Sequence, residues 1–292
     1  MDPATRHLIA LALAEDLGRQ GLAGDITSAA LIPEDASTSA TMVARESCVL
    51  SGVEAAAAVF TALDPSLKVE VLLPSGTEVQ REGSSLPVLL TVHGNTRSLL
   101  AAERTALNFV QRLSGIATLT RAFVSAARGT NCVILDTRKT TPGWRLLEKQ
   151  AVADGGGRNH RLGLHDRIFI KDNHLVALPA NLSLSAVLRQ TRQAHPGVEI
   201  EIEADTLDQV RTFLAIEEVD RILLDNMPLE QVREAVGLAA GSGVALEASG
   251  SVKLEKVAAL AATGVDFISA GALTHSARAI DLALEFDLPP RW

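Results

Sequence analysis

Between Asp136 and His174, this 292-residue chain gathers residues suited to gripping a small, highly charged anion: Arg138, Lys139, His160, Arg161 and Lys171. Arginine pairs two-pronged with carboxylates and phosphates, and lysine adds a compact point charge. The Gly155–Gly157 run in the same stretch offers a backbone able to come close to a ligand. It lacks the G-K-[ST] that follows a P-loop, and it does not match a dinucleotide fingerprint. Residues 137–171 hold eight Lys or Arg against three acids, a net +5, while the rest of the chain carries −13. A basic island in an acidic protein points to a small anionic ligand. It points away from nucleic acid, whose binders are basic overall.

Other residues invite chemistry one at a time. Lys171 sits in the apolar run IFIKDNH, where a buried amine would form a Schiff base or hold an anion. Glu199, Glu201 and Glu203 alternate along one predicted strand and so share a face. Asp225 closes ILLD, where it can bind a metal or sugar hydroxyls, or cap a helix.

The elements that must position these residues fall into two patterns. Residues 5–17 predict an amphipathic helix stopping near Gly18. From residue 38 to 93, short apolar runs alternate with turn signals (TSATMVA, CVLSG, KVEVLL, PSGTEV, REGSS, LPVLLTV), which predicts a small antiparallel β region. A helix follows from Asn95 or Thr96 and is expected to break at Ser114-Gly115, with a second helix over 116–127. From Cys132 six apolar runs recur: CVILDTRK, RIFIKDNH, VEIEIEAD, RILLDNM, VALEASGS and VDFISAGA. Their end residues Asp136, Lys171, Glu203, Asp225, Ser249 and Gly271 lie 22 to 35 residues apart, the length of a strand plus its crossover helix. Repeated βα units predict a parallel sheet, and six strands with a seventh fit a barrel. Barrel active sites lie at the C-terminal strand ends, with phosphate loops after the last strands. Those ends carry Lys139, Lys171, Glu203 and Asp225, then Ser249-Gly250 and Gly271.

Composition sets the limits. With 47% hydrophobic and 21% charged residues, the chain can bury a sizeable core and stay soluble. Cys48 and Cys132 are isolated, so neither a disulfide framework nor a zinc site is expected. Met1–Leu17 lacks the basic start and apolar run of a signal peptide, and no stretch reaches membrane-spanning length. A cytoplasmic protein is expected, with neither nucleic acid nor membrane as partner.

The ordered series ERTALNFVQRLSGIAT, DTRKTTPG, EK, GGGRNHRLGLHD, IKDNH, LLDNM, EASGS and SAGALTHS resembles quinolinate phosphoribosyltransferase along nearly the whole chain. The resemblance implies an α/β fold, with an N-terminal α/β sandwich domain and an open seven-stranded parallel α/β barrel. The domains would span 1–115 and 116–275, with 276–292 packing back on the first. It implies transfer of phosphoribosyl from phosphoribosyl pyrophosphate to quinolinate, with decarboxylation to nicotinate mononucleotide and Mg²⁺ as cofactor. It also implies a homodimer, or a larger assembly, with shared active sites, in which Arg104 reaches the partner subunit's site. Arg138, Lys139, His160, Arg161 and Lys171 match the quinolinate-binding set. Glu203 and Asp225 match the acidic pair at the ribose and metal, and with Lys139 they are the expected catalytic residues. Ser249, Gly250 and Gly271 match the phosphate loops, with His275 beside them. Ser251 departs from the family, which often has Gly or Asn there.

Three rivals remain at this stage: the same fold with another acceptor, a Schiff-base lyase using Lys171, and a carrier module suggested by PSGTEVQREGSS. The last lacks a modifiable lysine at a hairpin tip, having only Lys68 before it.

Overall fold

The computed structural model describes residues 1–83 and 85–287. Ser84 of the REGSS run, and residues 288–292 of the segment expected to pack back, lie outside the described residues. Contacts divide the chain into two units: residues 1–121, 141–156 and 277–287 in one, residues 122–140 and 157–276 in the other.

In the first unit Asp2 caps α1 (Pro3–Leu17) by accepting from Thr5 N, and Ile9, Leu13 and Leu17 recur on its buried face. After α2 (Ile26–Leu31) come β1 (Ser37–Ala44), β2 (Cys48–Val49), α3 (Val53–Leu63), β3 (Lys68–Val71), β4 (Glu78–Val79) and β5 (Val88–Asn95). The long helix α4 (Thr96–Ala126) then leads to β6 (Val133–Leu135) of the second unit, and α5 (Arg145–Asp154) belongs again to the first. Alternation along β1 turns Ala40, Met42 and Ala44 onto a core with Phe60, Leu90 and Phe109.

Helix α4 does not break at Ser114-Gly115. A Cβ on Gly115 would lie 1.9 Å from the carbonyl oxygen of Arg278, so the glycine admits a neighbouring backbone. Ser114 Oγ meanwhile accepts from Ser51 N at 3.0 Å. Gly115→Ala should therefore lower the melting temperature, at a cost of about 1–3 kcal/mol. That reverses the usual gain for Ala over Gly inside a helix, and a thermal melt against wild type checks it.

The second unit continues with β7 (Ile168–Ile170), α6 (Asp172–Ala177), α7 (Leu184–Ala194), β8 (Ile200–Ala204), α8 (Leu207–Leu214), β9 (Arg221–Asp225), α9 (Leu229–Ala239), β10 (Ala245–Ser249), α10 (Leu254–Ala261), β11 (Phe267–Ser269) and α11 (Ala272–His275). Finally β12 (Leu282–Phe286) returns to the first unit, where an antiparallel sheet runs β12-β1-β5-β3.

The second unit's sheet is parallel, in the order β6-β11-β10-β9-β8-β7. It has six strands among the described residues, and in place of a seventh a single parallel bridge joins Leu135 to Arg158. The end strands β6 and β7 do not pair, so the barrel is open. Ile200, Ile202, Ile222, Leu224, Leu246 and Ile268 are buried with Val210 and Phe213 of α8, Val232 of α9 and Val257 of α10. The alternate positions Glu201, Glu203, Arg221, Leu223, Asp225, Glu247, Ser249 and Ser269 face the lumen. No helix among the described residues is long and apolar enough to cross a membrane, and Cys48 and Cys132 are free.

Candidate active site

At the C-terminal ends of the parallel strands a cavity of about 330 Å³ opens, all of its lining drawn from the second unit. Arg138, Lys139, His160, Arg161 and Lys171 form its cationic side. Two anchors hold the loop after β6. Thr274 Oγ1 donates to Lys139 O at 2.7 Å, and Lys139 N donates to Thr137 Oγ1 at 3.0 Å. Further along, buried Glu148 accepts from Thr141 N and Oγ1 and from Arg112. The acid of the EK pair is thus an anchor for this segment.

His160 and Arg161 are only 8% exposed. Asp136, fully buried at the end of β6, accepts from His160 N at 2.8 Å. Arg161 N–H points at His160 Nδ1 (2.7 Å), which leaves the ring proton on Nε2, 3.0 Å from Glu201 Oε2. Burial alone lowers the imidazole pKa, but the hydrogen bonds accepted by Glu201 and Glu247 outweigh it and raise the value to about 9. The Arg161 amide at Nδ1 opposes the second proton, so the two carboxylates and the amide pull the protonation of this ring in opposite directions. Burial first, and then the charge of Arg138, pull the Arg161 pKa down from the usual guanidinium value. Its guanidinium carbon lies 4.9 Å from the centre of the Phe169 ring, and Lys171 Nζ lies 5.2 Å from it.

Lys171 is not buried. It follows the edge strand β7 directly, its side chain is 48% exposed, and its Nζ is 3.9 Å from Glu203 Oε2. A wet ammonium beside a carboxylate suits an anion's charge better than it suits a Schiff base, which needs a desolvated amine.

Glu203 and Asp225 line the same cavity, and with nearby Asp205 their carboxylate oxygens lie within 4.8 Å of one another. Burial raises the Glu203 pKa; Lys171 opposes this, while Asp225, Asp172 and Asp205 add to it. Such crowding is relieved by a cation, and an all-oxygen set suits Mg²⁺. Asp225 does not cap a helix: α9 begins after Pro228, and Asn226 Nδ2 donates to Asp225 Oδ2. A second trio, His160, Glu201 and Glu247, already has its charge met by Arg167 and Arg221.

The loops after β9 and β10 complete the wall. Asn226 and Ser251 have positive φ (53° and 47°), uncommon for a residue other than glycine and readiest for Asn, and Gly250 precedes Ser251 at 96°. Asn226 N donates to Ser249 O, tying the two loops together.

Domain patterns described as quinolinate phosphoribosyl transferase, N-terminal domain and C-terminal domain, match residues 25–114 and 116–285. The chain belongs to the quinolinate phosphoribosyltransferase family. It is 46% identical over 286 residues to a nicotinate-nucleotide pyrophosphorylase [carboxylating] of Mycobacterium leprae, covering 97% of each chain. It is 42% identical to the chloroplastic enzyme of that name from Arabidopsis thaliana, over 97% of this chain and 82% of that one. The solved nicotinate-nucleotide pyrophosphorylase of Francisella tularensis superposes with a TM-score of 0.87 at 37% identity, over 97% of this chain and 96% of that one.

Of the residues that resemblance to this phosphoribosyltransferase family singled out, Arg138, Lys139, His160, Arg161, Lys171, Glu203, Asp225, Ser249 and Gly250 line the cavity. Gly271 and His275 lie beside it: a Cβ on Gly271 would be 2.9 Å from Lys139 Cδ and 3.1 Å from His275 Nε2. Arg104 is exposed on α4, in the first unit, and does not line this cavity. The Gly155–Gly157 run does not line it either. A Cβ on Gly155 would lie 2.4 Å from Ala117 O, so this glycine serves close packing on α4. Phe169, Asn226, Glu247 and Ser269 line the cavity without having been read from sequence. Strand alternation was the available signal, since Phe169 shares a face with Lys171 and Glu247 with Ser249.

Proposed function

We propose that the protein transfers the phosphoribosyl group of phosphoribosyl pyrophosphate to quinolinate, with loss of CO₂, giving nicotinate mononucleotide and pyrophosphate for NAD synthesis. The observation that carries this is one cavity lined by five cationic or imidazole side chains together with the carboxylates of Glu203 and Asp225, with Asp205 close to that pair.

Quinolinate bears two adjacent carboxylates, and Arg138, Lys139, Arg161 and Lys171 match them with fixed charge that needs no reorganisation. Held there, the ring nitrogen is presented to the anomeric carbon of the sugar. The C–N bond forms as the C–O bond to pyrophosphate breaks, and positive charge grows on the ribose. Glu203 and Asp225 are placed to stabilise that charge and to orient the sugar. We assign Mg²⁺ to the same pair, with Asp205 beside them; bound with pyrophosphate, the ion would neutralise the leaving group. Gly250 and the backbone of 249–251 offer close approach to the 5-phosphate. Lys139, next to Gly271 and His275, reaches both the carboxylate and phosphate sides. In the product pyridinium the bond to the 2-carboxylate breaks, its electron pair stays at C2 beside the positive nitrogen, and C2 takes a proton. No carbonyl-trapping cofactor is needed.

Acceptor discrimination tests this reading. Nicotinate lacks the second carboxylate and leaves part of the cationic side without its anion, so quinolinate should be preferred by a large factor. Equal use of both acids would contradict the assignment.

We also infer a cytoplasmic homodimer in which Arg104 completes the partner subunit's site. Its exposure on α4, and its absence from the residues that line the cavity, support this. Inactive Arg104→Ala and Lys139→Ala proteins, mixed and allowed to exchange subunits, should regain part of the activity through hybrid sites. No recovery after demonstrated exchange would argue against a shared Arg104.

A further inference from the structure

Beneath the cationic side, six ionisable side chains close into one ring. His160 Nε2 lies 3.0 Å from Glu201 Oε2. Glu201 Oε2 meets Arg167 Nη1 at 3.0 Å, and Arg167 Nη2 meets Glu199 Oε2 at 2.5 Å. Glu199 Oε1 meets Arg221 Nη2, and Arg221 Nη1 meets Glu247 Oε2, both at 2.9 Å. Glu247 Oε2 returns to His160 Nε2 at 3.5 Å. Every carboxylate stands between two donors. The strand register builds part of this, because Glu201 of β8 is the direct partner of Arg221 of β9.

Glu201 and Glu247 are fully buried, and Arg221 is 6% exposed. Burying that much charge costs desolvation that an apolar layer of equal volume avoids, so stability alone does not explain the ring. Two of its members, His160 and Glu247, also line the cavity. Nε2 is caught between two carboxylates, which fixes the imidazole plane and turns Nδ1 to the Arg161 amide. Asp136 pins the same backbone from the other side. Arg161 extends over Phe169, itself the register partner of Glu201.

We propose that Glu247, backed by Arg221, is a positioning residue for the acceptor acid. The ring orients His160, and His160 orients Arg161, so both meet the substrate's carboxylates already aligned. This rests on the quinolinate reading for the identity of the acceptor.

Glu247→Gln is the informative change. It keeps the side chain's volume, leaves Glu199 and Glu201 facing Arg167 and Arg221, and removes one of the two carboxylates that favour a proton on His160. The melting temperature should stay near wild type and the KM for phosphoribosyl pyrophosphate should not move. The KM for quinolinate should rise about tenfold, equivalent to 1.4 kcal/mol of lost alignment. In ¹⁵N-histidine spectra of the free enzyme, the His160 ring (assigned by its loss in His160→Gln) should titrate about one pH unit or more lower. A folded variant with wild-type quinolinate KM and an unmoved His160 titration would overturn the proposal. So would a fall in kcat with both KM values unchanged, which marks a merely structural ring. Should Glu247→Gln fail to fold, Glu199→Gln removes a carboxylate from the ring's more exposed side, and the same shifts are expected in smaller measure; their absence overturns the proposal equally. Wild-type protein inactive on quinolinate would defeat the functional reading instead, and the His160 titration would still decide the ring.

Discussion

Arg161→Ala should lose about 30- to 5,000-fold in kcat/KM for quinolinate while folding normally. The guanidinium is nearly buried, braced over Phe169 and hydrogen-bonded through Nη1 to Arg167 O at 3.4 Å. Truncation leaves a substrate carboxylate without its partner at the nearly buried end of the site, and such losses run about 2–5 kcal/mol. Stability should change little, because Arg161 is repelled by Arg138 and pays its own desolvation. Arg161→Lys should fall between the two, keeping the charge but losing the two-pronged geometry. Steady-state kinetics beside a thermal melt checks this. Near-normal quinolinate kinetics in a folded Arg161→Ala protein would remove the main support for the acceptor site.

Gly250→Ala should damage the sugar-phosphate side with comparable severity. Gly250 has φ 96°, a conformation that costs an L-residue about 1–3 kcal/mol. A Cβ there would lie 2.3 Å from Asn226 Oδ1 and 2.7 Å from Asn226 N, and the backbone nitrogen cannot simply rotate away. The 226 and 250 loops must separate, moving Asp225 and Ser249 with them. The expected result is a KM for phosphoribosyl pyrophosphate raised at least about tenfold, with binding of quinolinate alone nearly unchanged. Calorimetric titration of each ligand separates the two. Unaltered phosphoribosyl pyrophosphate binding in a folded variant would show that the close packing of these loops does not shape the phosphate site.

Much of this architecture was legible in particular runs. The alternation in VEIEIEAD placed Glu199, Glu201 and Glu203 on one face, and that face is the barrel lumen. The residues ending the apolar runs do stand together at one end of the sheet. Where the reading failed, the cause was distant in sequence. Gly115 reads as a helix breaker until Arg278, far down the chain, is found to need its missing side chain. The Gly155–Gly157 run reads as a ligand loop until Gly155 proves to pack on Ala117. Lys171 reads as buried because the run before it is apolar, yet β7 is an edge strand and α6 starts directly after it. The charged ring was invisible because its members come from β8, β9, β10 and the segments before β7 and β8. Singly, Arg167, Arg221 and Glu247 look like ordinary charges in or beside a strand, and only the strand register brings them within reach of His160.

The most direct test of the central claim is product formation. Purified protein given quinolinate, phosphoribosyl pyrophosphate and Mg²⁺ should release nicotinate mononucleotide and CO₂ in equal amounts, and a chelator should stop both. A folded protein that makes neither product would contradict the account.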